Sequence, residues 1–157
     1  MHSPPLTAGR LAWLRRKGID PHDLYELPPN HSLTEIDEAA LAFPVYDAKG
    51  NPIDVCWFTP PWPRSRNRLC GKATFVNEAA ITARTYTKDR PLCIWWTALN
   101  WLRAGRVGVV VLDPYQADAL ATIPWLAAES FWHGNESFDW PWAGFGSRVL
   151  IPKRCDL

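Results

Sequence analysis

The sequence predicts an α/β fold: a small, mostly parallel sheet with flanking helices, preceded by a β-hairpin and a short N-terminal helix. Three observations carry that expectation. Val107–Leu112 is a nearly continuous apolar run, the pattern of a parallel strand covered on both faces. It follows a second apolar run, Leu92–Trp96, across a segment with helical spacing. Trp125–Glu129 and Arg148–Ile151 supply two further strand candidates. Strand–helix–strand–helix–strand at this spacing means parallel strands joined by right-handed crossovers.

The elements follow in chain order. Leu6–Gly18 places Leu11 and Leu14 on one face, with Trp13 beside them, and fills the remainder with Arg10, Arg15, Arg16 and Lys17. That is a short basic amphipathic helix for which Gly18 is a stop. Gly18 to Ala40 reads as a linker rich in Pro, Asp and Asn, with one helical turn at most. Leu41–Tyr46 and Ile53–Phe58 flank Asp47-Ala48-Lys49-Gly50-Asn51-Pro52, turn chemistry for a hairpin. Pro44 marks the first of these runs as an edge strand, because proline has no N–H for a ladder. Ala73–Tyr86 fits either a strand pair or a short helix. Thr97 caps a helix with Ala98, Trp101 and Leu102 on one face, and Gly105 ends it. Asp113-Pro114 starts another, an acid cap followed by proline at the first helical position, with Ala117, Leu120 and Ala121 as its apolar face. Residues 1–40 thus form a helix and linker and residues 41–157 the α/β domain, in one compact unit.

A chain of 157 residues suits one domain with a real core. Seventeen Lys and Arg against 16 Asp and Glu leave no global field to draw nucleic acid or a membrane surface. Fifteen prolines disfavour long helices, and ten tryptophans are too many to lie wholly inside. They line either the edges of the core or a contact surface for a partner. Cys56, Cys70, Cys93 and Cys155 have neither CxxC spacing nor histidine neighbours, which argues against zinc and for free thiols in the cytoplasm. No apolar run approaches membrane-spanning length.

Chemistry-bearing motifs are few. Thr59–Lys72 interleaves Arg64, Arg66, Arg68 and Lys72 with Trp62, next to Trp57 and Phe58. It reads as a connecting loop or as a grip on a single strand through charge and stacking. His133, Glu136 and Asp139 have a spacing open to acid–base or metal chemistry, although a lone His between Trp132 and Gly134 is commonly a loop residue. Nucleophile elbow, Walker loop and dinucleotide fingerprint are all missing. Asp113 and Glu129 stand at the carboxyl ends of two strands, where α/β sites form, and Asp113 also has a sufficient role as a helix cap.

The order of "FPVYDAKGNPIDVCWF", "RPLCIWWTALNWLRAGRVGVVVLDP" and "WLAAES" resembles the Toprim domain of phage and plasmid primases. It looks more closely like a group of small phage-encoded Toprim-like proteins found near replication genes. The resemblance spans about Leu41 to Arg154. It implies a catalytic Glu at Trp95 or Trp96, and a later acidic pair around Ala128-Glu129-Ser130, where Glu129 alone is acidic. Toprim chemistry holds Mg²⁺ through several carboxylates, so the resemblance implies a degenerate, non-catalytic scaffold with no cofactor and no metal.

The expected function is a phage or mobile-element binding protein in the host cytoplasm. It docks on a partner protein through Trp62, Arg64, Arg66, Arg68 and Trp132. The partner belongs to the replication machinery or to a host defence complex, in the manner of an anti-CRISPR inhibitor. Two alternatives stand beside it. One is a metal-dependent enzyme on nucleic acid built from Asp113, Glu129, His133 and Glu136. The other is a nucleic-acid-binding accessory protein of a primase, using Arg10, Arg15, Arg16 and the Arg64–Arg68 loop.

Overall fold

The computed structural model describes residues 5–29, 39–59, 72–130 and 149–150. The chain forms two sheets with few helices. Helix α1 (Ala8–Arg16) begins where the Thr7 hydroxyl accepts from the Arg10 N–H and ends in a Schellman turn. There Gly18 takes φ +70°, its N–H donates to the Arg15 carbonyl at 3.1 Å, and the Ile19 N–H reaches the Leu14 carbonyl at 2.9 Å. Leu14 and Ile19, joined by that bond, are both buried. Full burial of Leu14 contributes about 2 kcal/mol, so it anchors the short helix.

The three-stranded antiparallel sheet comprises β1 (Tyr25–Leu27), β2 (Ala40–Tyr46) and β3 (Pro52–Phe58), in that spatial order. The hairpin β2–β3 stands where the sequence places it. Two expectations are corrected. The segment read as a linker contains β1, and β2 is the central strand. Pro44 is tolerated there because β1 is three residues long and pairs with Ala40, Leu41 and Ala42, leaving the β1-facing side of Pro44 without a strand partner among the described residues. Alternation then sorts the side chains. Leu41, Phe43, Val45, Cys56 and Phe58 enter one buried cluster, whereas Ala40, Ala42 and Trp57 enter another.

The five-stranded sheet has the order β4 (Phe75–Val76), β6 (Val109–Val111), β5 (Leu92–Trp95), β7 (Leu126–Ala128), β8 (Val149–Leu150). Strands β5 to β8 are mutually parallel where they pair, and β4 runs antiparallel to β6. The ambiguous stretch after Ala73 resolves into β4 and a 3-10 turn, Glu78–Ile81. Helix α2 (Ala98–Arg103) begins at Thr97, whose hydroxyl accepts from the Asn100 N–H at 3.2 Å. It ends in a second Schellman turn, with the Arg106 N–H on the Trp101 carbonyl at 3.0 Å.

Strand β6 is shorter than the apolar run suggests. Arg106 and Gly108 take φ of +64° and +84°, which no pleated strand accommodates, and Val107 is exposed. After Asp113 the chain forms two 3-10 turns, Pro114–Gln116 and Asp118–Thr122, in place of the expected α-helix. Ala117 between them has ψ +26°, which breaks the helical path. Ala117 and Leu120 are buried as expected, but Ala121 is exposed.

Two cores sandwich the five-stranded sheet. Val76 and Val110 face α1, α2 and the hairpin, where the Phe43 and Trp101 rings stack at 5.7 Å. Phe75, Leu92, Ile94, Val109 and Leu126 face the 3-10 turns with Leu120 and Ile123. Among the described residues no helix is long and apolar enough to cross a membrane.

Candidate functional site

The strand order places a topological switch at the centre of the parallel sheet. The chain leaving β5 travels through α2 to β6 on one side, whereas β7 pairs with β5 on the other side and has β8 beyond it. The carboxyl ends of β5 and β7 therefore lie next to each other where the strand order reverses, the place where open α/β sheets bind ligands. Trp96 follows β5 there, and Glu129 follows β7.

Glu129 spans that gap. One carboxylate oxygen accepts the Trp96 main-chain N–H at 2.9 Å and the other accepts the Asn100 side-chain amide at 3.2 Å. Half-burial pushes its carboxyl above the usual glutamate range, and the two hydrogen bonds, which favour the charged form, oppose that without cancelling it. Asn100 can reach because Thr97 caps α2 at its own N–H, fixing the first turn beside β7. The result is a carboxylate that holds two chain segments together with both oxygens already engaged.

Trp96 itself is 46% exposed, one of few large apolar side chains so placed among the described residues. Its neighbour Trp95 points back along the sheet, with its indole N–H on the Val107 carbonyl at 2.7 Å. Tyr115, 80% exposed, stands beyond the carboxyl end of β6. Two exposed aromatics thus lie on the carboxyl edge of neighbouring strands.

Asp113 caps the first 3-10 turn, accepting the Tyr115 N–H at 3.1 Å. Strand β5 lies between the strand that ends at Asp113 and the one that ends at Glu129, which puts those two strands about 10 Å apart. Among the described residues no group of three His, Cys, Asp or Glu side chains is placed to hold a metal ion. The free thiols Cys56 and Cys93 are pushed up by burial, Cys56 far up because it is wholly enclosed.

Trp62, Arg64, Arg66, Arg68, Trp132, His133, Glu136 and Asp139 lie outside the described residues. Residues 72–73, just after the segment that carries the first four, are held by β3. The Lys72 and Ala73 N–H groups donate to Asp54 at 2.9 and 3.0 Å, and the Val55 N–H donates to the same carboxylate at 2.8 Å. Asp54 is buried, the one charged side chain so placed among the described residues. Of the N-terminal basic residues, Arg10 is committed to Glu26 and the Ala39 carbonyl, whereas Arg15 and Arg16 are exposed.

Sequence reasoning missed Asn100 and the exposed state of Trp96. The available signal was slight: an Asn three residues after a capping Thr at the end of a strand. Against known proteins, the chain matches no family model, no curated protein and no solved structure. Fold and site together define a mixed α/β domain with an occupied carboxylate and exposed aromatics at its switch point.

Proposed function

We propose that this chain is a non-catalytic binding module that docks on a partner protein, with the carboxyl edge of its parallel sheet as part of the contact. One observation carries the reading. Glu129, at the position where an α/β enzyme keeps reactive acids, uses both oxygens to fix the Trp96 backbone and α2, and the Trp96 side chain is 46% exposed. A tryptophan on a fixed backbone loses little entropy on binding and is the residue type most enriched in interface hot spots. Tyr115 extends the same edge, and Trp62, Arg64, Arg66, Arg68 and Trp132 complete the proposed contact.

The resemblance to Toprim-like phage proteins adds the setting: a phage or mobile element acting in the host cytoplasm on replication machinery or a defence complex. The test is a tagged pull-down from host lysate after nuclease treatment, read by mass spectrometry. A stoichiometric partner retained by the wild type, and lost in both Trp96→Ala and the Trp62→Ala/Trp132→Ala double variant with the fold intact, is the expected result. Unchanged retention by both variants sinks the reading. Calorimetric titration with Mg²⁺ and Mn²⁺ separates it from the metal-dependent alternative, for which binding must vanish in Asp113→Ala and Glu129→Ala.

A further inference from the structure

The opposite edge of the same sheet carries a second feature. A cleft of about 440 Å³ opens at the amino ends of β5 and β6, within the size range of about 300–1,000 Å³ typical of small-molecule sites. Arg84, Arg90 and Arg106 line it, and no Asp or Glu does. Asp89, the one carboxylate in the loop leading to β5, stays outside the lining. Among the described residues neither Arg84 nor Arg90 has a carboxylate partner, while Arg106 is held by the Asp20 and His22 carbonyls. Three cations therefore line one concavity that has no carboxylate among its described lining residues.

The wall of the cleft is firm. Tyr86 is buried, its hydroxyl donates to the Ala80 carbonyl, and its ring carries the Arg84 guanidinium 5.8 Å from the centroid. Leu92 closes the apolar side, and Cys93 looks in from β5. At the β6 margin the Asn77 amide donates to the Gly108 carbonyl at 2.9 Å, so the backbone beside Arg106 is fixed. Arg84 also lies close enough to Cys93 for its charge to oppose, in part, the rise that burial imposes on the thiol.

We infer that this cleft binds a small phosphate monoester, with the phosphate between Arg84 and Arg90 and the ligand body against Tyr86 and Leu92. Guanidinium forks match phosphate oxygens in pairs, and such charge-assisted bonds are stronger than neutral ones. A carboxyl-free concavity with apolar and cationic sides suits a ligand divided the same way. The inference is independent of the docking reading, since it concerns the other edge of the sheet and other residues.

The test is calorimetric titration of the full chain with AMP, adenosine and inorganic phosphate. AMP is expected to bind and phosphate to compete with it, whereas adenosine gives no heat. Arg84→Gln and Arg90→Gln, both at exposed positions, should each weaken AMP by about tenfold or more while the melting temperature stays unchanged. Mass-spectrometric mapping of Cys93 alkylation locates the ligand, because bound AMP should slow it in the wild type. No heat with AMP at millimolar concentration overturns the inference. So does equal binding of adenosine, affinity untouched by both substitutions, or a Cys93 rate indifferent to AMP.

Discussion

Glu129 accepts the main-chain N–H of Trp96 at 2.9 Å, so a side chain leaving β7 completes the backbone hydrogen bonding at the end of β5. Its second oxygen accepts from Asn100 in the first turn of α2, so one carboxylate joins a strand, a helix and a strand–helix corner. Truncation to alanine leaves both donors without this acceptor and should cost about 1–3 kcal/mol. Gln at the same position retains a carbonyl oxygen for the Trp96 N–H and sheds the burial cost of a charge. Urea denaturation at neutral pH is expected to show Glu129→Ala clearly destabilised and Glu129→Gln close to wild type. Equal losses in the two variants would mean that the charge, and not the bridging geometry, matters there.

The same group predicts a pH dependence with a definite sign. Burial raises the folded-state pKa of Glu129 above its ordinary 4.5. A raised carboxyl contributes stability that is fully present below the unfolded value and is lost as pH rises through the folded one. Stability of the wild type relative to Glu129→Gln should therefore be greatest near pH 4 and decline toward pH 7. Asp47 acts in the opposite direction, since hydrogen bonds from Asn51 lower its pKa and its contribution is lost as pH falls. Both proteins contain Asp47, so the difference between them isolates Glu129. A flat difference across that range would show that the two hydrogen bonds balance the cost of burial.

Local rules explain which parts of this architecture the sequence announces. Gly18 and Gly105 are legible as stops because each helix ends on a left-handed residue that glycine adopts freely. Thr97 and Asp113 are legible as caps because their side-chain oxygens reach backbone N–H groups two or three residues ahead. Strand β1 is not legible, since Tyr25-Glu26-Leu27 becomes a strand only by pairing with residues about fifteen positions later. The helix signal after Asp113 is correct about where the turn starts and silent about how tightly it winds. The switch point was visible as a Glu at a strand end. Its bond to Trp96 crosses 33 residues of chain, and no local pattern encodes that.

Asp54 carries a second prediction about an anchored corner. It is buried, and its carboxylate accepts the Val55, Lys72 and Ala73 N–H groups. Removing it strands the buried Ala73 donor and the part-buried Val55 and Lys72 donors at the corner where β3 meets residues 72–73. Asp54→Ala should cost about 3 kcal/mol or more, given 1.5–3 kcal/mol for each hydrogen bond to a charged group. Asp54→Asn keeps one acceptor oxygen and should lose less. Thermal denaturation of the two variants, with limited proteolysis in the 59–72 region, distinguishes a local loosening from global loss. A wild-type melting temperature in Asp54→Ala would mean that water replaces the carboxylate at this corner.

Gly108 makes the sharpest prediction, because two independent constraints meet on one residue. Its φ is +84°, and a Cβ there would sit 2.4 Å from the Cys93 carbonyl oxygen and 2.9 Å from the Cys93 Cβ. The first constraint costs an alanine about 1–2 kcal/mol. The second cannot be relieved by a side-chain rotation, since the obstructing oxygen belongs to the backbone of β5. Either β6 withdraws from β5, weakening the pairing of Ile94 with Val109, or the turn at Arg106 rearranges and releases its bonds to Asn77. Gly108→Ala should therefore be destabilised by more than about 2 kcal/mol, and Gly105→Ala, whose Cβ would meet open space, by only the conformational cost of about 1–2 kcal/mol. Paired urea titrations of the two variants check this directly. Equal losses would show that β6 shifts freely, and the amino-edge cleft that depends on this turn would then be a plastic feature of the fold.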